Sequence, residues 1–128
     1  MRKCKMILSI MILSILALSI SCVTNPDIRQ LSPETRARAG KIMVYKGFSI
    51  PEDKYQVIGY IEGISCKGTY YSNKVVNEQE AINGLRIKAA QLGADAVINV
   101  VCQYKGWGFS NCVQSILCVG DAIRIKKE

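Results

Sequence analysis

The stretch Asn77 to Gln103, NEQEAINGLRIKAAQLGADAVINVVCQ, changes from helical to strand periodicity within a few residues, and its reading decides the fold. Asn77 offers a side-chain oxygen at a helix start and Glu80 stands three places on, a capping-box pattern. Ala81, Ile82, Leu85, Ala89 and Leu92 recur on one helical face, Arg86 and Lys88 lie off it, and Gly93 supplies the stop. Glu78 and Glu80 at the start, with Arg86 and Lys88 further along, also suit the helix dipole. Gly84 costs about 1 kcal/mol in mid-helix relative to alanine, and close packing against a sheet is one reason to carry it. From Ala94 the period falls to two. Ala96, Ile98, Val100 and Cys102 share one face of a strand, Asn99 and Gln103 the other.

Upstream, Lys41 to Tyr45 (KIMVY) and Tyr55 to Ile61 (YQVIGYI) are rich in β-branched and aromatic residues and read as two strands joined by a turn that carries Gly47, Pro51, Glu52 and Asp53. A polar loop, CKGTYYSNKVV, leads from the second strand to the helix. Downstream, a glycine-rich loop precedes Ile116 to Ile125. Ile116 and Cys118 have one parity there and Ile123 and Ile125 the other, so a bulge or break is expected at Gly120-Asp121. The order is ββαββ. It predicts an α+β fold in which a small antiparallel or mixed sheet of about four strands packs on one main helix.

A chain of 128 residues accommodates one domain. It contains no histidine, which excludes histidine-dependent triads and histidine-containing zinc sites. No phosphate loop, no nucleophile with a visible base and no C-x-x-C redox motif is present, so the chain reads as a binding protein and not as an enzyme. Its charge of +7 first suggests an anionic partner.

The N-terminus changes that arithmetic. Arg2, Lys3 and Lys5 precede MILSIMILSILALSI, residues 6–20, which is apolar apart from three serines, the layout of a secretory signal. An uncleaved membrane-spanning anchor is the alternative, since no charge occurs from Met6 to Pro26. Ser21 directly before Cys22, with Leu18 and Ser19 upstream, resembles the lipobox of bacterial lipoproteins, although the usual leucine three places before the cysteine is Ser19 here. That resemblance implies cleavage after residue 21, acylation of Cys22 and a membrane-lipid anchor, to which each buried methylene contributes about 0.8 kcal/mol. Val23 in the following position, where aspartate retains enterobacterial lipoproteins at the inner membrane, implies the outer membrane with the domain facing the periplasm. Loss of residues 1–21 leaves 14 basic and 10 acidic side chains, a net charge of +4. A nucleic-acid partner is not expected.

Three segments follow: residues 1–21 as signal peptide, 22–40 as lipidated cysteine and tether, and 41–128 as the folded domain. The tether VTNPDIRQLSPETRARAG has linker composition, with a single helical turn possible at Ser32-Pro33-Glu34. Its 18 residues span at most about 60 to 65 Å when extended and about 21 to 25 Å as a coil.

Cys4 leaves with the signal and Cys22 is the modification site, so Cys66, Cys102, Cys112 and Cys118 remain. An exported domain favours two disulfides among them. A tetrathiolate zinc site would want closely spaced cysteine pairs, which are absent, and four cysteines allow three pairings. The pattern of Ser65-Cys66, the helix ending in AAQLGADAVINVVC and then NCVQSILCVGDAIRI resembles the RcsF family of outer-membrane lipoproteins, sensors of the Rcs envelope-stress phosphorelay, over residues 41–126. The family's tether is longer and richer in proline. The resemblance implies interlocked bonds, Cys66 with Cys112 and Cys102 with Cys118, for which loop entropies of roughly 4 and 3 kcal/mol apply separately. It also implies partners: outer-membrane barrel or porin proteins that restrain the sensor, and an inner-membrane regulator that receives the signal. The alternative is a structural or assembly lipoprotein that binds a barrel protein or glycan with no signalling output.

The loop YKGWGFSN, residues 104–111, places Tyr104, Trp107 and Phe109 among glycines and a lysine. These three residues are the leading candidates for partner contact, because large aromatics on a constrained loop are frequent hot spots. Tyr70 and Tyr71 are weaker candidates of the same kind.

Overall fold

The structure is a computed structural model that describes residues 23–47 and 50–127. The signal segment and Cys22 lie outside the described residues. In chain order the elements are α1 (Pro33–Lys41), β1 (Met43–Val44), β2 (Tyr55–Lys67), α2 (Glu78–Gln91), β3 (Ala96–Lys105) and β4 (Gln114–Ile125), with short 3-10 turns at Ile28–Gln30, Glu52–Lys54 and Phe109–Asn111. One mixed sheet has the order β1-β3-β4-β2. The two edge strands are β1, which runs parallel to β3, and β2, which runs antiparallel to β4. The first two strands are thus not a hairpin but the opposite edges of the sheet. The fold is α+β, as the residue pattern predicts.

Helix α2 lies along β2 and β4, burying Ala81, Leu85 and Ala89 completely. Its start follows the predicted cap with one change. The Glu80 N–H donates to Asn77 Oδ1 at 2.8 Å, but the Asn77 N–H donates to Ser65 Oγ of β2 at 3.0 Å instead of to the Glu80 carboxylate. Ser65 Oγ donates in turn to Glu80 Oε2 at 2.5 Å, so the sheet itself completes the cap. The glycine that lets helix and sheet approach is Gly63 of β2: a Cβ there would stand 2.0 Å from the Ala81 carbonyl oxygen and 2.9 Å from the Leu85 nitrogen.

Parity departs from a simple alternation for a local reason. Ala96 and Ile98 belong to a small core on the face opposite α2, with Ile123 and the partly buried Tyr45, Ile50 and Tyr55. Val97, Val100 and Cys102 face the helix. The switch occurs where Asn99 and Val100 together oppose Gly120, with Asn99 in the left-handed region at φ 54°. Asparagine tolerates that conformation better than most residues, and its Nδ2 donates to Asp121 Oδ2 at 3.0 Å. Gly120 is needed opposite the bulge because a Cβ would meet Val97 Cγ1 at 2.8 Å and Val100 Cγ2 at 2.9 Å. The irregularity therefore sits in β3, with a second one at Val57/Gly59 in β2, while β4 itself is continuous through Gly120-Asp121. Both parities of β4 are used because each face of the sheet has its own core.

Residues 23–40 are not a free tether. Ser32 caps α1 through a bond from the Thr35 N–H, and Pro33 takes the first helical position. The helix runs nine residues, well beyond a single turn, and packs on α2. Ala39 is buried in the main core together with Ile87, while Leu31 is partly buried against it. Cover from α1 accounts for the burial of Ile87, which the helical face leaves out, whereas Leu92, counted on that face, is exposed. Among the described residues, those from Val23 to Lys41 pack on the segment that follows them.

Candidate functional site

The cysteines pair as the family resemblance implies. Cys66–Cys112 joins β2 to the loop before β4, with its Cα atoms 5.5 Å apart, and Cys102–Cys118 joins residues directly opposite in the β3–β4 ladder. The bonds interlock in sequence, spanning separations of 46 and 16 residues. They sit on different faces of the sheet. Cys118 and Cys102 belong to the main core under α2, whereas Cys112 and Cys66 belong to a second cluster with Ile64, Leu117, Phe109 and Val23.

Val23, the residue after Cys22, is therefore fixed to the domain. It is buried against the Cys66–Cys112 bond, and its N–H donates to Ser110 Oγ at 3.2 Å. Two residues on, the Asn25 side chain pairs with the free edge of β2. The Ile64 N–H donates to Asn25 Oδ1 at 2.8 Å, and Asn25 Nδ2 donates to the Ile64 carbonyl at 2.5 Å. One amide thus satisfies two backbone groups that an edge strand otherwise leaves open to pairing. The same edge is closed at Glu62 by the Lys88 ammonium of α2, which donates to its carbonyl oxygen. Partial burial lowers the pKa of Lys88 below 10.5, with the Glu62 carboxylate opposing that shift.

Gly84 belongs to this contact. A Cβ at position 84 would stand 2.2 Å from Asn25 Oδ1 and 2.6 Å from its Cγ. The mid-helix glycine makes room for the N-terminal strap, not for the sheet.

The aromatic candidates separate into two groups. Phe109 is half-buried, packed in the cluster with Val23 and Cys112, and the Lys105 ammonium lies 5.9 Å from its ring centroid. It is less exposed than the other aromatic candidates. Tyr104 lies in β3 rather than in the loop and is 63% exposed. Trp107 is 77% exposed, Tyr70 71% and Tyr71 98%. Because Lys67 at the end of β2 pairs with Gln114, and Lys105 at the end of β3 pairs with Ser115, the loops that follow β2 and β3 leave from the same end of the sheet. Val23 is bonded to Ser110 at that end too. Neither loop contains an acidic residue; Lys67, Lys74 and Lys105 stand in or beside them. Of the nearby acids, Glu78 pairs with Lys46 and Glu80 with Lys74, the latter at 2.6 Å.

The Ser65 hydroxyl meets the Glu80 carboxylate, but it is fully buried and completes the cap of α2. Among the described residues no group of histidine, cysteine, aspartate or glutamate side chains is arranged to hold a metal ion, and no helix is long and apolar enough to cross a membrane.

No family model matches the chain, and no curated protein matches it. Among solved structures it is similar to the crystal structure of a protein of unknown function from the DUF74 family of Pediococcus pentosaceus. The identity is 14%, the match covers 66% of this chain and 98% of that one, and the TM-score is 0.46. At that identity nothing about activity or partners transfers.

Proposed function

We propose that the chain is an envelope lipoprotein that acts through contacts and not through catalysis: acylated at Cys22, held at the outer membrane with its domain in the periplasm, and signalling envelope stress to a Rcs-type phosphorelay. The observation that supports this reading best is the interlocked pairing of Cys66 with Cys112 and Cys102 with Cys118. A small exported domain needs such staples, because its core alone supplies little stability. In this reading barrel or porin proteins restrain the sensor in an intact envelope, and an inner-membrane regulator contacts it when the envelope is damaged.

One observation favours the second reading, a structural or assembly lipoprotein that binds a barrel protein or glycan without signalling. The strap from Val23 to Lys41 is packed on the domain, so it does not extend the domain's reach away from its anchor. Signalling across the periplasm then requires the strap to leave β2 or the regulator to approach the outer membrane. Crosslinking of the intact lipoprotein in its own envelope, with identification of partners before and after envelope damage, decides between the two. The signalling reading expects an inner-membrane partner that appears with damage; recovery of the same barrel or peptidoglycan-associated partners in both conditions would overturn it.

A further inference from the structure

The geometry points to the aromatic end of the sheet, carrying Trp107, Tyr70 and Tyr71, as a surface that rests in the headgroup region of the membrane to which Cys22 is anchored. The proposal builds on acylation of Cys22 and assigns these aromatics to lipid instead of to a protein partner.

The argument starts from the length of chain between anchor and domain. Consecutive Cα atoms are about 3.8 Å apart, and Val23 is already buried against Cys112 and bonded to Ser110. Cys22 directly precedes Val23 in the chain, so acyl chains on it would be attached one residue from a side chain held against the 106–113 loop. A flexible leash would let the domain tumble above the surface. Here the strap has no slack: Asn25 holds the β2 edge at Ile64, and Gly84 makes room for it. The end of the sheet nearest Val23 must therefore be the end that faces the lipid.

The chemistry of that end suits a bilayer surface. Trp107, Tyr70 and Tyr71 are exposed there, and Trp and Tyr are the side chains enriched at membrane–water interfaces, with an apolar ring and a polar tip. Val75, 78% exposed, follows in the same loop as the tyrosines. The loops at residues 68–76 and 106–113 carry no acidic group, and Lys67 and Lys105 stand beside them, which complements anionic headgroups, while Lys74 is paired with Glu80. The positive φ of Gly108, Ser110 and Asn111 folds the loop back so that Phe109 packs inward on the anchor side while Trp107 stays outward.

Trp107 is the only tryptophan, so it reports on its own surroundings. The test reconstitutes the full-length protein, purified from envelopes, into vesicles of phosphatidylethanolamine and phosphatidylglycerol that contain brominated lipid, and measures the mass of the Cys22 peptide on the same sample. The proposal expects Trp107 emission to shift to shorter wavelength on the vesicles and to be quenched most by bromine placed near the headgroup. The Tyr70→Ser/Tyr71→Ser variant, altered only at exposed positions, should lose part of that quenching while keeping the wild-type denaturation midpoint. Water-like, unquenched emission from acylated, vesicle-bound protein overturns the proposal and leaves the lipoprotein reading intact. Trp107 that is shielded only in native envelopes, and not on pure lipid, also overturns it and assigns the surface to a protein. An unacylated Cys22 overturns the lipoprotein reading and, with it, this proposal, and the Cys22 peptide mass tells that outcome apart from failure of the surface alone.

Discussion

Replacing Gly84 with alanine should change the sign of its effect according to what occupies position 25. In an ordinary helix interior Gly→Ala stabilises by about 1 kcal/mol. Here the new methyl would lie 2.2 Å from Asn25 Oδ1, and the amide at the end of that side chain is what yields, not the helix. Its displacement breaks both bonds to Ile64, worth about 1 kcal/mol each. The balance for Gly84→Ala alone is a destabilisation of about 1 kcal/mol, a fall of about 4–8 °C in Tm for a domain of this size. In an Asn25→Ala background there is no amide to displace, and the same substitution should stabilise by about 1 kcal/mol. The coupling of about 2 kcal/mol is read from urea denaturation of the four oxidised proteins followed by circular dichroism. Limited trypsin digestion provides an independent readout, because Arg29 is exposed but a protease needs an extended backbone, which the segment around it gains only when the strap lifts. If Gly84→Ala shifts stability equally in both backgrounds, the strap is not seated on α2 and β2 as described.

Gly63→Ala should be more severe than Gly84→Ala in either background, because its methyl meets helix backbone at 2.0 Å and α2 must withdraw from the sheet; the expected loss is about 3 kcal/mol, measured by the same denaturation. Non-reducing peptide mapping should recover Cys66–Cys112 and Cys102–Cys118, and replacing Cys102 and Cys118 together with alanine should cost about 3 kcal/mol, whereas a Cys66–Cys102 peptide would contradict the fold. An NMR titration of the Lys88 side chain should give a midpoint below 10.5, since burial disfavours its charged form. In the window between that midpoint and 10.5 the unfolded chain binds more protons than the folded one, so this residue's contribution makes stability rise with pH; Lys88→Met should flatten the slope.

Local signals carried most of the architecture. The cap at Asn77, the apolar face through Ala81 and Leu85, and the change of period after Gly93 are consequences of near-neighbour geometry, and they place α2 and β3 correctly. What escaped such reading depends on contacts far apart in the chain. The Asn25–Ile64 pairing joins residues 39 apart, and a polar Val-Thr-Asn-Pro segment has the composition of a linker whether or not an edge strand receives it. Gly84 was legible as an anomaly, yet its cause lay in the strap. The bulge was detectable from the parity of Ile123 against Cys118, but the residue that forms it is Asn99, on the strand opposite the glycine that permits it. Strand order was hidden for a related reason: β1 is only two residues long and pairs with β3, so the polar stretch before β2 looks like a hairpin turn without being one. Among the candidate contact residues, exposure separated Trp107 from Phe109, a distinction that aromatic character alone does not carry.

The proposed function rests most heavily on Cys22: acylation there would place the domain at a membrane, and the buried Val23 would then set which end faces it. The direct measurement is the intact mass and N-terminal peptide of the protein purified from envelopes without reduction. The account predicts a chain that begins at Cys22, carries acyl groups on its amine and thiol, and retains two disulfides. A chain that begins at Met1, or an unmodified thiol at Cys22, would contradict it.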